Sequence, residues 1–180
     1  MMYGVRTRTV AVSFLGLIIL ALAVAARAEA PKLEYQIKAS YLYNFMQFIA
    51  WPKDAFGADG KFNLCVVGAE RFGTALDALA SERVEGREIV VRRLEHAARA
   101  RAAQCHLLFV AAGSDPTFTE IIDTRGMLTI GEAPGFLEHG GVINLVEVRG
   151  RIRFEINQPA ARQAGLVVSS RILTLAVTRP

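Results

Sequence analysis

The residue types that most often carry chemistry are scarce in this 180-residue chain, which has two cysteines, three histidines and one tryptophan. The histidines, His96, His106 and His139, are scattered, and no His-Glu-x-x-His pair is present to hold zinc. No serine stands in a Gly-x-Ser-x-Gly elbow. Gly68-Ala-Glu-Arg-Phe-Gly73 lacks the Lys-Ser/Thr of a phosphate loop and the glycine spacing of a dinucleotide fingerprint, so it reads as a plain strand-to-helix turn. Asp54, Asp59 and Asp115 occupy loop and cap positions rather than forming a paired carboxylate device. These absences exclude the commonest hydrolase, zinc and nucleotide signatures. The sequence therefore predicts no catalytic residue, no metal and no cofactor, and His139, beside Gly140-Gly141, is the one histidine worth following.

Acidic residues are missing altogether from the first 28 positions, which hold Arg6, Arg8 and Arg27. An unbroken apolar or small run extends from Val10 to Ala26, and Ala26-Arg27-Ala28 ends it with small residues at the −3 and −1 positions of a cut. A positive start, an apolar run and a small-residue site together predict a cleavable signal peptide over residues 1–28, with cleavage before Glu29 or, two residues on, before Pro31. The expected mature chain is exported from the cytoplasm and, once cleaved, has no membrane span of its own; the alternative is an uncleaved anchor, since the apolar run is near the lower length limit for spanning a bilayer. Removing the leader leaves 18 basic against 17 acidic residues, a net charge of +1 in place of +4. The basic pairs Arg92-Arg93 and Arg99 with Arg101 lie among Glu85, Glu88 and Glu95 and read as a solvated face, so no nucleic-acid partner is expected.

Cys65 and Cys105 have no second cysteine or histidine at ligand spacing except His106, which adjoins Cys105. Neighbours on a strand point to opposite faces, so that pair does not readily share a metal. In an oxidising compartment an even, small count suits one disulfide, with two buried thiols or one reactive thiol as the alternatives.

The remainder reads as one α/β domain over residues 29–180, with no repeat or linker. Leu33, Ile37, Tyr41, Phe45 and Phe48 recur at helical steps, and Trp51-Pro52 ends that helix. Apolar strand patterns follow at 62–68, 87–94, 105–111 and 127–130, separated by helical patterns at 71–80, 96–103 and from Asp115 to about Thr124. Continuous apolar strands between helices predict a mostly parallel sheet with helices on both faces. Val142–Val148 and Arg151–Ile156 flank Arg149-Gly150 as a C-terminal antiparallel hairpin. Asn157 caps a short helix that stops at Gly165, and Ser169 or Ser170 caps a last one.

Two apolar features exceed what a core needs. Tyr35, Tyr41, Tyr43, Phe45, Phe48, Trp51 and Phe56 crowd into 22 residues. They form either a helix packed on two sides or an aromatic lip, with Tyr41, Tyr43, Phe45 and Trp51 facing a ligand or partner. Read as a helix, the segment 166–177 carries Leu166, Val168, Ile172, Leu173 and Leu175 in an arc wide enough to serve as a partner surface, unless it is wedged against the sheet.

The run from Tyr35 to Pro52 (YQIKASYLYNFMQFIAWP) resembles the opening of the YfiR family of bacterial periplasmic proteins. Leu64-Cys-Val-Val-Gly68, Gly86-Arg-Glu-Ile-Val90, Cys105-His-Leu-Leu-Phe109, Gly140-Gly-Val-Ile143, Arg153-Phe-Glu-Ile-Asn157 and the run from Ala164 to Leu173 continue the resemblance in order, over nearly all of residues 33–177. The resemblance implies a non-enzymatic repressor that holds the sensory region of an inner-membrane signalling protein, a diguanylate cyclase, and so affects cyclic di-GMP signalling and biofilm. It also implies a possible homodimer and a disulfide, with Cys65 and Cys105 matching one cysteine pair of the family. The second pair that some members carry in the late strands is missing here. Related domains act as extracytoplasmic sensors, which makes a small-molecule-binding domain with an aromatic pocket the alternative.

Overall fold

The computed structural model describes residues 33–69, 71–114 and 123–177. The expected signal peptide and the core of the helix expected after Asp115 lie outside these residues. The chain opens with helix α1, residues 33–48, and runs directly into a two-residue strand β1, Ile49–Ala50. A main sheet follows, built from β2 (Phe62–Val67), β3 (Arg83–Val84), β4 (Arg87–Leu94), β5 (Leu107–Val110), β6 (Leu128–Gly131), β7 (Ile143–Val148) and β8 (Arg151–Ile156). Helices α2 (Thr74–Leu79), α3 (Gln158–Gln163) and α4 (Ser170–Leu175) and a short strand β9 (Val167–Val168) complete the described elements.

The strands lie in the order β3-β4-β2-β5-β6-β7-β8. All pairs from β4 through β7 are parallel, while β3 and β8 join antiparallel at the two edges. This is the mixed α/β domain expected, a mostly parallel sheet with a C-terminal antiparallel hairpin. The parallel part is doubly wound, and its order reverses between β2 and β5. The hairpin turn has positive φ at both Arg149 (52°) and Gly150 (71°), the geometry of a tight turn whose twist suits two strands. The strands β2, β5 and β6, apolar but for Asn63 and Thr129, are buried along their length, as a sheet covered on two faces requires.

The larger core lies on one face, where α1, α2, α3 and α4 bury Phe45, Leu76, Ala161 and Ile172 against Leu64, Phe109, Ile130 and Phe154. The opposite face is thinner. There Cys65, Leu108 and Val110 pack under Ala97, Ala100 and Phe136. The segment expected as an alanine-rich helix at 96–103 is one 3-10 turn, Ala97–Arg99, followed by further turns. Gln104 adopts a positive φ of 51° to re-enter the sheet, which a continuing helix would not allow. Phe136 fits because its neighbours are glycines: a Cβ at Gly131 or Gly141 would fall inside its ring.

Cys65 and Cys105 form a disulfide with their Cα atoms 5.7 Å apart, joining β2 to the residue that leads into β5. It is buried in the thinner core, where few large side chains are available. Closing a loop with a sequence separation of 40 contributes about 4 kcal/mol in the chain-entropy account. Cys105→Ser should therefore lower the melting temperature in oxidising buffer and add little change in reductant. Two equivalents of alkylating reagent taken up by the denatured, unreduced protein would show that the bridge is absent.

Candidate interaction surface

The carboxyl ends of β2 and β5, at the point of reversal, are where doubly wound sheets usually take their ligands. Here the described residues fill that end themselves. Ser114 Oγ donates to the Val67 carbonyl (3.4 Å), and a Cβ on Gly68 would strike it. The side chain of Glu132, just past β6, is only 4% exposed. It accepts from the Ala112 amide (2.9 Å) and the Tyr35 hydroxyl (2.9 Å), and pairs with the Lys38 ammonium, which also meets Glu34. Burial, then the hydrogen bond to Glu132, pushes the Tyr35 hydroxyl well above its ordinary pKa and keeps it a donor. The first turns of α1 are thus fastened over the crevice. No group of three metal-ligating side chains is assembled among the described residues.

That fastening sets the rotation of α1. Tyr35, Ala39, Leu42, Phe45, Met46 and Ile49 face the core. The stripe expected to be buried turns largely outward: Leu33 is 61% and Ile37 41% exposed, Tyr41 and Phe48 are half-buried, and only Phe45 is in the core. Both stripes obey helical spacing; the buried one carries more apolar side chains and Lys38, whose cation meets a buried carboxylate. An apolar stripe Tyr35-Ala39-Leu42-Met46-Ile49 was present in the sequence as the signal for this.

The expected aromatic lip is dispersed. Phe45 is core, edge-to-face with Phe154 at a ring-centroid distance of 5.0 Å. Tyr43 donates to Glu82, and Trp51 Nε1 donates to the His106 carbonyl (3.1 Å). Tyr41 alone reaches a cavity, a groove of about 540 Å³ bordered by Leu33, Ile37, Ile152 and the hairpin arginines, while its hydroxyl donates to the Ile152 carbonyl (3.1 Å).

The C-terminal arc is also rearranged, because 166–177 is not one helix. Leu166 is core, Val167–Val168 pairs with Ile49–Ala50, and α4 spans only Ser170–Leu175 with Ser169 as its cap. Ile172 is buried against the main core, so neither it nor Leu166 is available to a partner in this fold. Val168 and Leu173 are half-buried, and Leu175 (65%) and Val167 (67%, outside the expected set) are exposed. Burying side chains of this size under a partner contributes about 1.5–3 kcal/mol each.

His106 and His139 differ sharply. His139 is exposed and bonds only within its own turn, to the Gly135 carbonyl. His106 is buried between Phe56 and Phe62, its Nδ1 accepting from the Asn63 amide (2.9 Å). That acceptor role places the proton on Nε2, which donates to the Ala55 carbonyl (3.2 Å). With Trp51 bonded to its carbonyl, His106 ties the 51–56 segment to the start of β5.

Among the described residues this is a doubly wound domain with the start of α1 fastened at its strand-reversal end and with exposed apolar side chains beside α1, β9 and α4. Residues 35–177 match the YfiR/HmsC-like model, and the chain belongs to that family. The family is one of periplasmic regulatory proteins of the cyclic di-GMP pathway. No curated protein matches the chain. Among solved structures, a conserved domain protein from Vibrio cholerae O1 biovar El Tor is similar at 18% identity and a TM-score of 0.40, over 64% of this chain and 53% of that one. The chain thus spans about half the length of that protein.

Burial, the largest cause, depresses the His106 pKa, so the folded protein holds it neutral. The unfolded histidine takes up its proton near pH 6.5. The stabilisation is therefore complete above about pH 6.5 and is lost as pH falls from there toward the lower folded value. The melting temperature should fall between pH 7 and 5. His106→Gln should be less stable at pH 7.5 but lose that part of the pH dependence, and an unchanged pH profile in the variant would contradict the assignment.

Proposed function

We propose that this protein holds the sensory region of an inner-membrane signalling protein, a diguanylate cyclase, and represses it, lowering cyclic di-GMP and restraining biofilm. The observation that carries the reading is the family match over residues 35–177. Support comes from the exposure of apolar side chains along β9 and α4: Val167 and Leu175 are exposed, Val168 and Leu173 are half-buried, and Arg171 covers the ring of Phe48 at the end of α1, and this stretch is the proposed patch. Among the described residues no helix is long and apolar enough to cross a membrane. In this reading the leader is cleaved and the regulator meets its partner from the periplasmic side. A self-complementary use of the same patch would give a homodimer. The small-molecule reading has less behind it, since Tyr43, Phe45 and Trp51 are engaged within the chain.

The test is to co-express the exported protein with a membrane-bound diguanylate cyclase of its own host and measure cyclic di-GMP. The native protein should lower it. Leu175→Asp should restore it while melting within about 1 °C of the parent, because the site is exposed. Ile172→Asp should unfold the protein, since a charge would be buried without a partner. Unchanged cyclic di-GMP with the native protein, or full repression by Leu175→Asp, would contradict the proposal.

A further inference from the structure

The groove between α1 and β8 lies apart from the α4 patch, at the carboxyl end of the sheet, and three features meet there. The first is the outward stripe of α1: Leu33, Ile37 and Tyr41 form its apolar wall.

The second is a strand edge. In a hairpin closed by a two-residue turn, Val148 and Arg151 exchange hydrogen bonds, as do the alternate pairs behind them, Val146 with Arg153 and Asn144 with Glu155. The backbone groups of Ile152 and Phe154 therefore point away from β7. Their carbonyls confirm the direction, since Ile152 accepts from Tyr41 and Phe154 from the Val177 amide (2.9 Å). Val177 closes the edge at Phe154, and the Ile152 carbonyl accepts from both Tyr41 and the Arg153 guanidinium (3.0 Å), which leaves the Ile152 amide as the edge group without an acceptor among the described residues.

The third is charge. Arg149, Arg151 and Arg153 surround the turn, and none has an ion-pair partner among the described residues. Against them stands Glu147, while Glu34 is engaged by Lys38. The rim carries a net positive charge.

We propose that this groove receives an extended segment of a partner protein in which apolar and acidic residues alternate, docked as a short strand beside Ile152. The alternation follows from β8 itself. Ile152 and Phe154 face α1, so the matching side chains of an added strand fall on Leu33, Ile37 and Tyr41. Arg151 and Arg153 face the other side of the sheet, so the intervening side chains fall beside the arginines. An acidic residue there gains two cations, whereas a lysine meets like charge. The inference rests on the reading that the protein works by holding a partner, and it adds a second contact with stated chemistry.

The test uses the whole mature protein and two short synthetic peptides, one alternating valine with glutamate and one alternating valine with lysine, followed by fluorescence anisotropy. The glutamate peptide should bind, weaken steeply with salt, and bind about tenfold or more weakly to the Arg151→Glu/Arg153→Glu protein. The lysine peptide should prefer that variant. Ile37→Asp, at an exposed site, should weaken the glutamate peptide without unfolding the protein. No binding of the glutamate peptide, or equal binding to parent and charge-reversed proteins, overturns the proposal. The cyclase assay separates the two readings: repression that survives while peptide binding fails removes the groove and leaves the regulatory function standing.

Discussion

The Glu132 carboxylate organises the surface of this protein. It is buried at the end of β6 and takes three donors, of which Tyr35 and Lys38 come from α1 and the Ala112 amide from the end of β5. A buried carboxylate without its cation costs several kcal/mol, so α1 is held in the one rotation that delivers Lys38. Turning the helix by half a turn would bring Leu33 and Ile37 inward in place of Leu42 and Met46, but also Ser40 and Asn44 in place of Ile49 and Tyr35, and it would strand Glu132. The ion pair and the apolar face thus favour the same rotation, and the outward face becomes the wall of the groove.

The same interaction shapes which surfaces the described residues leave open. In a doubly wound sheet the crevice at the reversal of strand order is available by default. Here α1 is latched across it, and Gly68 and Ser114 close the backbone gap beneath. What remains exposed is the edge: the outer stripe of α1, the arginine-rich hairpin, and the patch where β9 and α4 dock. The YfiR/HmsC-like family to which the chain belongs is regulatory, in keeping with this distribution.

Much of the fold was legible from the residues. Continuous apolar strands, the Arg149-Gly150 turn and the Asn157 cap (its side chain accepts from the Ala160 amide at 3.0 Å) follow from local rules, and the bridge between Cys65 and Cys105 is one of the readings the cysteine count allows and the family resemblance implies. The candidate surface was less so. Spacing identified α1 but not its rotation, because the deciding partner of Lys38 lies 94 residues away. The arc at 166–177 was drawn on a helical wheel, whereas the chain is extended at Val167–Val168 to pair with Ile49–Ala50, which sends Leu166 and Ile172 inward and leaves Leu175 outside. Long-range pairing of two-residue strands leaves no periodicity to read. Lys38 inside an apolar stripe was the one visible hint that a buried counter-charge existed.

A double-mutant cycle on Lys38→Met and Glu132→Gln, followed by denaturant unfolding, addresses the controlling interaction most directly. Lys38→Met alone leaves the buried carboxylate unpaired and should cost about 3–5 kcal/mol. Adding Glu132→Gln, whose side-chain oxygen still accepts from Tyr35 and Ala112, should recover most of that loss, giving a coupling of about 2 kcal/mol or more. Single costs that are small and simply add would contradict the account, since α1 would then be oriented by packing alone.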